Sequence, residues 1–246
     1  MRVKRRVNVN VMVIRNTLMN ESKESELEGL LKAGVHFGHP SSRWNAKMAP
    51  YIYDTKNGVH TLDVVKTLQD VYTAQAPFQA AKNVLFVGTK PQIAPVIKEI
   101  AQRCNGHYVN TRWVGGLLTN WSTMASCIKN LNTLDDQVGG VTEIDALSAQ
   151  GISKKEILRL KKNRARLGKF FEGVRGLKAV PDLVVIVGQP FEKNAVSECI
   201  KLGIPTITLL DSNCDPTLTT YGIVANDDSA SSVKHVLELL ITNTVK

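Results

Sequence analysis

The stretch that decides the fold of this chain is Asp182-Leu183-Val184-Val185-Ile186-Val187, and Asn83-Val84-Leu85-Phe86-Val87-Gly88 repeats its pattern. Both are short apolar runs that lack the alternation of a strand with one face in water. A strand of this kind is buried on both faces, which is typical of a parallel sheet between two layers of helices. The chain is therefore predicted to be an α/β protein.

Helical patterns alternate with further strands along most of the chain. Helices are predicted over Pro91–Arg103, Glu192–Leu202 and Ser229–Ile241, and strands over His107–Val109, Pro205–Leu210 and Tyr221–Val224. Nearer the start, Asn57-Gly58 between two apolar segments predicts a β-hairpin, because this pair favours the positive φ values of a tight turn. Asp63 is the predicted N-cap of a helix that runs to about Lys82. The predicted fold class is a three-layer parallel-sheet domain, Rossmann-like or flavodoxin-like.

The alternation stops between Tyr108 and Pro181. Apolar residues there recur with 3-4-3-4 spacing in two consecutive segments, Met124–Val138 and Ile157–Phe171, the second interrupted by Arg164. Heptad spacing of this kind predicts an antiparallel two-helix coiled-coil hairpin inserted in the α/β domain. Ser153-Lys154-Lys155-Glu156 is a capping box that begins the second helix. In the alternative interpretation, both helices pack on the sheet as the other helices do.

These patterns divide the chain into three parts. Residues 1–26 are expected to be a basic N-terminal extension, flexible or bound to RNA. Residues 27–110 and 179–246 form the α/β domain, and residues 111–178 form the inserted helical hairpin. No apolar run approaches the roughly 18–20 residues that a membrane-spanning helix requires, so no membrane partner is expected. The four cysteines show no C-x-x-C pair, which argues against a disulfide framework and a zinc ribbon.

The net charge of +9 is concentrated in two segments. Residues 1–20 contain five Lys/Arg and no acid, and residues 151–178 contain ten Lys/Arg against two acids. Residues 21–150 are neutral, and residues 179–246 have a net charge of −4. Two concentrated basic segments on a neutral-to-acidic body predict a polyanionic partner that is held at discrete places.

Candidate catalytic features are weak. The turn Gly88-Thr89-Lys90 follows a strand but lacks a phosphate-binding glycine motif. His36 and His39 could share a metal, yet no further ligand lies at a typical spacing. Four acids follow strands and are more often caps and turn formers: Asp211, Asp215, Asp227 and Asp228. No catalytic residue, cofactor or metal is therefore expected, and a nucleotide- or metal-dependent enzyme on a Rossmann-like sheet is the alternative.

Basic and aromatic residues interleave in Arg43-Trp44-Asn45-Ala46-Lys47 and again between Asn110 and Trp121. Cations pair with phosphates, and indole rings can stack on exposed bases, although both tryptophans could equally be core anchors. The predicted RNA-binding residues are Arg5, Arg6, Arg43, Trp44, Lys47, Arg112, Trp113, Lys154, Lys155, Arg159, Lys161, Lys162, Arg164, Arg166 and Lys169.

Several motifs, taken in order, resemble the landmarks of the bacterial-type small-ribosomal-subunit protein two family. They are Gly34–His39, Arg43–Lys47, Phe86–Lys90, Asn110–Trp121, Pro181–Val187, Leu202–Pro205, Asp211–Pro216 and Asn226–Asp228. The sequences of Met48–Ile52, Asn120–Thr123 and Ser212–Pro216 are most similar to those of plastid members. Departures lie at Phe171–Gly173 and at Gly188-Gln189, where the family has a Leu-Gly-Gly-like element and an acidic residue.

The resemblance implies an α/β domain with a protruding coiled coil and a non-catalytic role. It implies binding of small-subunit ribosomal RNA between the head and body of the particle. It also implies contact with neighbouring ribosomal proteins, including the multi-domain mRNA-binding protein that the family helps to dock, and no homo-oligomer is expected. The expected location is the ribosome of the chloroplast stroma, with the bacterial cytoplasm as the alternative. A further alternative is a free RNA chaperone that acts outside the ribosome, because such a protein would show the same charge pattern.

Overall fold

The computed structural model describes residues 21–138 and 153–242, and its main sheet has five parallel strands. In chain order these are β4 (Val84–Val87), β5 (His107–Val109), β6 (Leu183–Val187), β7 (Thr206–Leu210) and β8 (Tyr221–Val224). Their spatial order is β5-β4-β6-β7-β8. Numbered within the sheet this is 2-1-3-4-5, the flavodoxin-like order. The predicted parallel α/β sheet is confirmed.

The two stretches that decided the fold are neighbours in the middle of this sheet. Val84 of β4 lies in register with Leu183 of β6, and every residue of both strands is buried. Successive side chains point to opposite faces, so Phe86 belongs to the core on one face and Leu85 to the core on the other. Both strands can be apolar throughout because neither face meets water.

Helices cover both faces of the main sheet. They are α1 (Glu21–Lys32), α2 (Val64–Ala80), α3 (Ala94–Arg103), α4 (Trp121–Val138), α5 (Lys154–Phe171), α6 (Lys193–Leu202) and α7 (Ala230–Ile241). Buried residues of α1, α2, α3 and α7 form the core on the first face, and those of α4 and α6 pack on the second. Asp63 caps α2 as predicted, accepting the Val65 N–H at 3.1 Å.

The segment predicted as an inserted hairpin contributes to the core of the main domain. Ile128 and Leu131 of α4 belong to the same buried cluster as Leu85, together with Phe171 at the end of α5. Asp135 of α4 also binds Arg164 of α5, so the two helices contact each other. The coiled coil itself stays a prediction, since the connection between the helices lies outside the described residues.

A small antiparallel sheet precedes the main one. Its strands are β1 (Phe37–Pro40), β2 (Ile52–Lys56) and β3 (Val59–Leu62), in the order β1-β3-β2. The predicted β2–β3 hairpin is confirmed, with Asn57 at φ 51° and Gly58 at φ 76°. β1 was not predicted, because Phe-Gly-His-Pro has neither alternation nor a β-branched residue.

Within the described residues, no helix is both long enough and apolar enough to cross a membrane.

Replacement of Leu131 by alanine is expected to lower the free energy of unfolding by about 2–5 kcal/mol, because its side chain is fully buried against the sheet-facing core. Leu158→Ala is the matched control, since Leu158 lies on α5 with 57% of its surface exposed. That variant should stay within about 0.5 kcal/mol of the unsubstituted chain. Urea denaturation measures both, and equal effects would show that α4 does not pack as described.

Candidate nucleic-acid interface

The cations of α5 are arranged along one side of the helix. Its N-terminus is fixed by Ser153, which accepts the Glu156 N–H at 3.3 Å, as the capping box predicted. Five exposed cations follow with 4-3-4-3 spacing: Lys155, Arg159, Lys162, Arg166 and Lys169. Since residues at this spacing share one side of a helix, they form a continuous line of charge, which we call the basic stripe. Ile157 and Phe171 are buried on the opposite side.

The other predicted cations of α5 have different surroundings. Lys154 is exposed and Lys161 is half-buried. Arg164 occupies a heptad position and forms an ion pair with Asp135, which explains the interruption of the apolar pattern. Arg175, beyond the end of the helix, binds the same carboxylate. The charge of Arg164 is thus already partly neutralised inside the protein, unlike the charges of the basic stripe.

The segment between β1 and β2 presents a second group of predicted residues. Arg43 is exposed, and Trp44 keeps 41% of its surface accessible while its ring lies 5.2 Å from that of His60. Lys47 donates to Asp215 at 2.6 Å, which lowers the pKa of that carboxyl to about 2. A phosphate would have to compete with Asp215 for Lys47, whereas Arg43 and Trp44 are open to a ligand.

Two exposed aromatic side chains near this segment were not predicted as site residues. Tyr53 lies on the solvent side of β2 and Phe37 on β1, both with most of their surface exposed. The alternation in Tyr51-Ile52-Tyr53 could have placed Tyr53 on the outer side of the hairpin. Phe37 could not have been found, because β1 was not predicted as a strand.

Of the two roles that the sequence left open for Trp113, the structure favours the core anchor over the RNA contact. Only 6% of Trp113 is exposed, and its indole N–H donates to Glu198 at 2.9 Å. The carboxylate of Glu198 accepts four more hydrogen bonds, from Gly116 N, Leu118 N, Thr119 N and Thr119 Oγ1. Trp113 is therefore the core anchor of this glycine-containing loop, and the neighbouring Arg112 stays exposed.

The turn after β4, where an α/β enzyme would bind phosphate, is occupied by a side chain of the protein itself. Glu192 is buried and accepts from both the backbone N–H of Thr89 at 2.9 Å and its hydroxyl at 2.5 Å. Burial raises the pKa of Glu192, and the bonds from Thr89 oppose that rise. A carboxylate at this position repels a nucleotide phosphate, which removes the best structural support for the enzyme alternative.

Charged groups from both sheets meet at the carboxyl ends of β7 and β8. His39 lies between two carboxylates, with Nδ1 3.0 Å from Asp211 and Nε2 3.2 Å from Asp228. Lys90 Nζ lies 2.7 Å from Asp227 and 2.8 Å from Asp228. The bond to Asp211 raises the pKa of His39, and both ring nitrogens can donate only in the charged form. We call these five residues the charged junction.

Four members of the charged junction have the donor types of a metal site. The ligand atoms of His39, Asp211, Asp227 and Asp228 all lie within 4.8 Å of one another. Imidazole and carboxylates suit a divalent cation such as Zn²⁺, and the buried Oδ2 of Asp227 has no hydrogen-bond partner. The ammonium group of Lys90 already balances part of this charge. The sequence pairs His39 only with the nearby His36, and the acids lie in distant segments, so their association is visible only in the folded structure.

Comparisons with known proteins all find similarity to one protein family of the small ribosomal subunit. A family model described as ribosomal protein S2 matches residues 30–246. Small ribosomal subunit protein uS2c of Ostreococcus tauri is 60% identical over 214 residues, covering 87% of this chain and 92% of that protein. The uS2c protein of Oltmannsiellopsis viridis is 45% identical, covering 86% and 88%. Small ribosomal subunit protein uS2 of Synechococcus elongatus is 44% identical, covering 87% and 84%.

Lys90→Met is expected to lower the free energy of unfolding by about 3–5 kcal/mol at pH 7, because it leaves the buried Asp227 without its cation. Combining it with Asp227→Asn should cost less than the sum of the two single substitutions, since the double variant removes both charges. Urea denaturation of all four proteins gives the coupling free energy. Strict additivity would show that the pair does not interact.

Glu198→Gln is expected to destabilise the chain at neutral pH and to flatten the acid limb of its stability curve. Burial alone would raise the pKa of Glu198, but the bonds from Trp113, Thr119, Gly116 and Leu118 together lower it. A lowered pKa in the folded state means that stability present above the normal carboxyl pKa is lost as pH falls through the folded-state value. Thermal unfolding between pH 3 and pH 7 tests this. The exposed Glu24→Gln is the control, and an unchanged acid limb in Glu198→Gln would contradict the assignment.

Proposed function

Because the chain belongs to the ribosomal protein S2 family, we propose that it holds small-subunit ribosomal RNA mainly through the basic stripe of α5. The family is a structural, non-enzymatic constituent of the small ribosomal subunit, with its role in translation. The suffix c in the names of two relatives denotes the chloroplast form, and this chain works in the plastid ribosome. A cyanobacterial relative is also similar, so the bacterial cytoplasm is the alternative location.

The observation that carries this proposal is the continuous line of unpaired cations along one side of α5. Lys90, Lys47 and Arg164 each bind carboxylates of the protein. The exposed residues of the basic stripe form no ion pair with another described residue. Unpaired cations along one side of a helix can each contact a phosphate, and such contacts supply affinity and fix the position of the protein on the RNA.

We place Arg43, Trp44 and Arg112 in a supporting role. These residues match motifs of the family, and all three are exposed. Guanidinium groups pair with phosphates, and the accessible face of the Trp44 indole can stack on an unpaired base. Lys47 contributes only where a phosphate displaces Asp215. Arg5 and Arg6 lie outside the described residues and remain proposed contacts on the basis of their charge.

The division of the chain follows from the same reasoning. Residues 27–110 and 179–246 form the body, residues 1–26 form a basic extension whose last six residues already belong to α1, and residues 111–178 carry the basic stripe. Because residues 179–246 have a net charge of −4, their surface is better suited to protein neighbours than to RNA. We assign to this part the contacts with other small-subunit proteins, including docking of the mRNA-binding protein at a position between head and body.

Neutralising the basic stripe should weaken RNA binding and flatten its salt dependence. The test variant carries Lys155→Gln, Arg159→Gln, Lys162→Gln and Arg166→Gln. Because four cations that pair with phosphates are removed, the slope of log K against log salt should fall by about 3, and binding at physiological salt should weaken by about tenfold or more. Filter binding to small-subunit ribosomal RNA over a salt series measures both quantities.

The matched control carries four exposed lysines of the body changed to glutamine: Lys82, Lys98, Lys193 and Lys201. It has the same net charge as the test variant but an intact basic stripe, so its salt slope should stay near that of the unsubstituted chain. Equal reductions of affinity in both variants would mean that RNA binding depends on overall charge.

Stoichiometric sedimentation with the small subunit in high salt distinguishes a ribosomal constituent from a free RNA chaperone.

A further inference from the structure

The free edge of the main sheet is only partly covered. β8 is its outermost strand, and α2 runs alongside it. At Val224 the backbone carbonyl on the outer side is satisfied by α2. The hydroxyl of Thr67 donates to the Val224 carbonyl at 2.6 Å, and the Val224 backbone lies close enough to Asp70 to oppose the rise that burial causes in the pKa of that carboxyl. Side chains of a helix thus protect this end of the edge strand from pairing.

Two residues earlier, at Gly222, that protection ends. Alternate residues of a strand direct their backbone groups to the same side, so the N–H and C=O of Gly222 face outward like those of Val224. A cavity of about 240 Å³ opens there, and its lining includes Asp70, Thr73, Tyr221 and Gly222. We call this cavity the β8 edge pocket. It combines an unpaired piece of strand with an acidic side chain.

The charge of the β8 edge pocket is not balanced within the described residues. Its lining contains the carboxylate of Asp70 and no Lys or Arg. The Oδ2 atom of Asp70 is buried and has no hydrogen-bond partner. The nearest lysine along α2, Lys66, donates to the Pro50 carbonyl and lies 3.8 Å from Asp63. Burial raises the pKa of the Asp70 carboxyl to about 6, and Lys66 offsets this rise only in part, so a partner cation in the pocket would stabilise the charged carboxylate.

We propose that the β8 edge pocket receives a lysine or arginine side chain from an extended segment of a neighbouring protein, whose backbone pairs with Gly222. The cationic group meets Asp70, and the backbone groups of the segment bond to the N–H and C=O of Gly222, a short form of strand addition. RNA does not fit this pocket, because its phosphates would face a carboxylate. The proposal rests on the proposed function only in taking another small-subunit protein as the partner.

The first experiment uses the purified full chain and a defined probe. The probe is the blocked peptide acetyl-Thr-Val-Lys-Val-Thr-amide, and NMR follows the amide signals of the ¹⁵N-labelled protein. Saturable shifts are expected at Gly222 and Thr73, and replacing the peptide lysine by norleucine should weaken binding by about tenfold. Absence of saturable shifts at millimolar peptide would overturn the proposal. So would equal binding of the norleucine peptide.

Variants of the chain locate the binding. Asp70→Asn should weaken binding of the lysine peptide by about tenfold. This variant should still fold, because a neutral side chain avoids burying a charge. Asp54→Asn, at an exposed carboxylate of β2, is the matched control and should leave the affinity unchanged. Thr73→Arg places a cation of the protein at the pocket and should abolish binding even if Asp70→Asn perturbs folding. Unchanged binding in Thr73→Arg contradicts the proposal.

A photo-crosslinking group at position 73 in assembled small subunits identifies the natural occupant. A crosslink to a basic segment of a protein is expected. A crosslink to RNA alone would overturn the proposal. None of these measurements uses the basic stripe, so failure here leaves the RNA-binding proposal intact, and failure of the RNA experiment leaves this one standing.

Discussion

Two carboxyl groups buried at the carboxyl end of the main sheet constrain the rest of this structure. Asp211 and Asp227 are almost completely inaccessible, and a buried charge without a partner is strongly destabilising. Lys90 comes from the turn after β4, while His39 comes from β1 of the small sheet. The cations that the main sheet needs are therefore supplied by two separate segments. His39 therefore helps to hold the small sheet on the main one, together with Met48 and Leu62, which are buried against Leu210, Cys214 and Val224.

The same reasoning explains why the sheet offers no place for a nucleotide. Carboxylates of the protein already occupy the loops where an α/β enzyme would bind anions. The side chain of Glu192 reaches the turn after β4, and that of Glu198, on α6, reaches the loop before α4. Each satisfies backbone N–H groups that a phosphate would otherwise use. The unpaired cations of the described protein lie instead on its outside, where no acid balances the charges of the basic stripe of α5 or of the exposed Arg43.

The sequence predicts this architecture well where local patterns agree with burial. The runs at β4 and β6, the Asn57-Gly58 turn and the Asp63 cap are each determined by residues within a few positions of one another. β1 was missed because its pairing with β3, not its own residues, makes it a strand. The role of Trp113 stayed open for a related reason, since its partner Glu198 lies 85 residues away in the sequence. The charged junction likewise joins residues from distant segments, so its parts were recognised but not their association.

Charge therefore has two separate roles in this protein, and distance along the chain distinguishes them. Inside the domain, charged residues far apart in sequence pair with each other, which fixes how the segments pack. On α5, five cations recur within fifteen residues, and no acid lies between Glu156 and Glu172 to pair with them. Pairs between distant residues can be seen only in the folded structure, whereas a local excess of one sign is visible in the sequence. For this reason the RNA-binding segment could be proposed before the fold was known, while the interior that excludes a nucleotide could not.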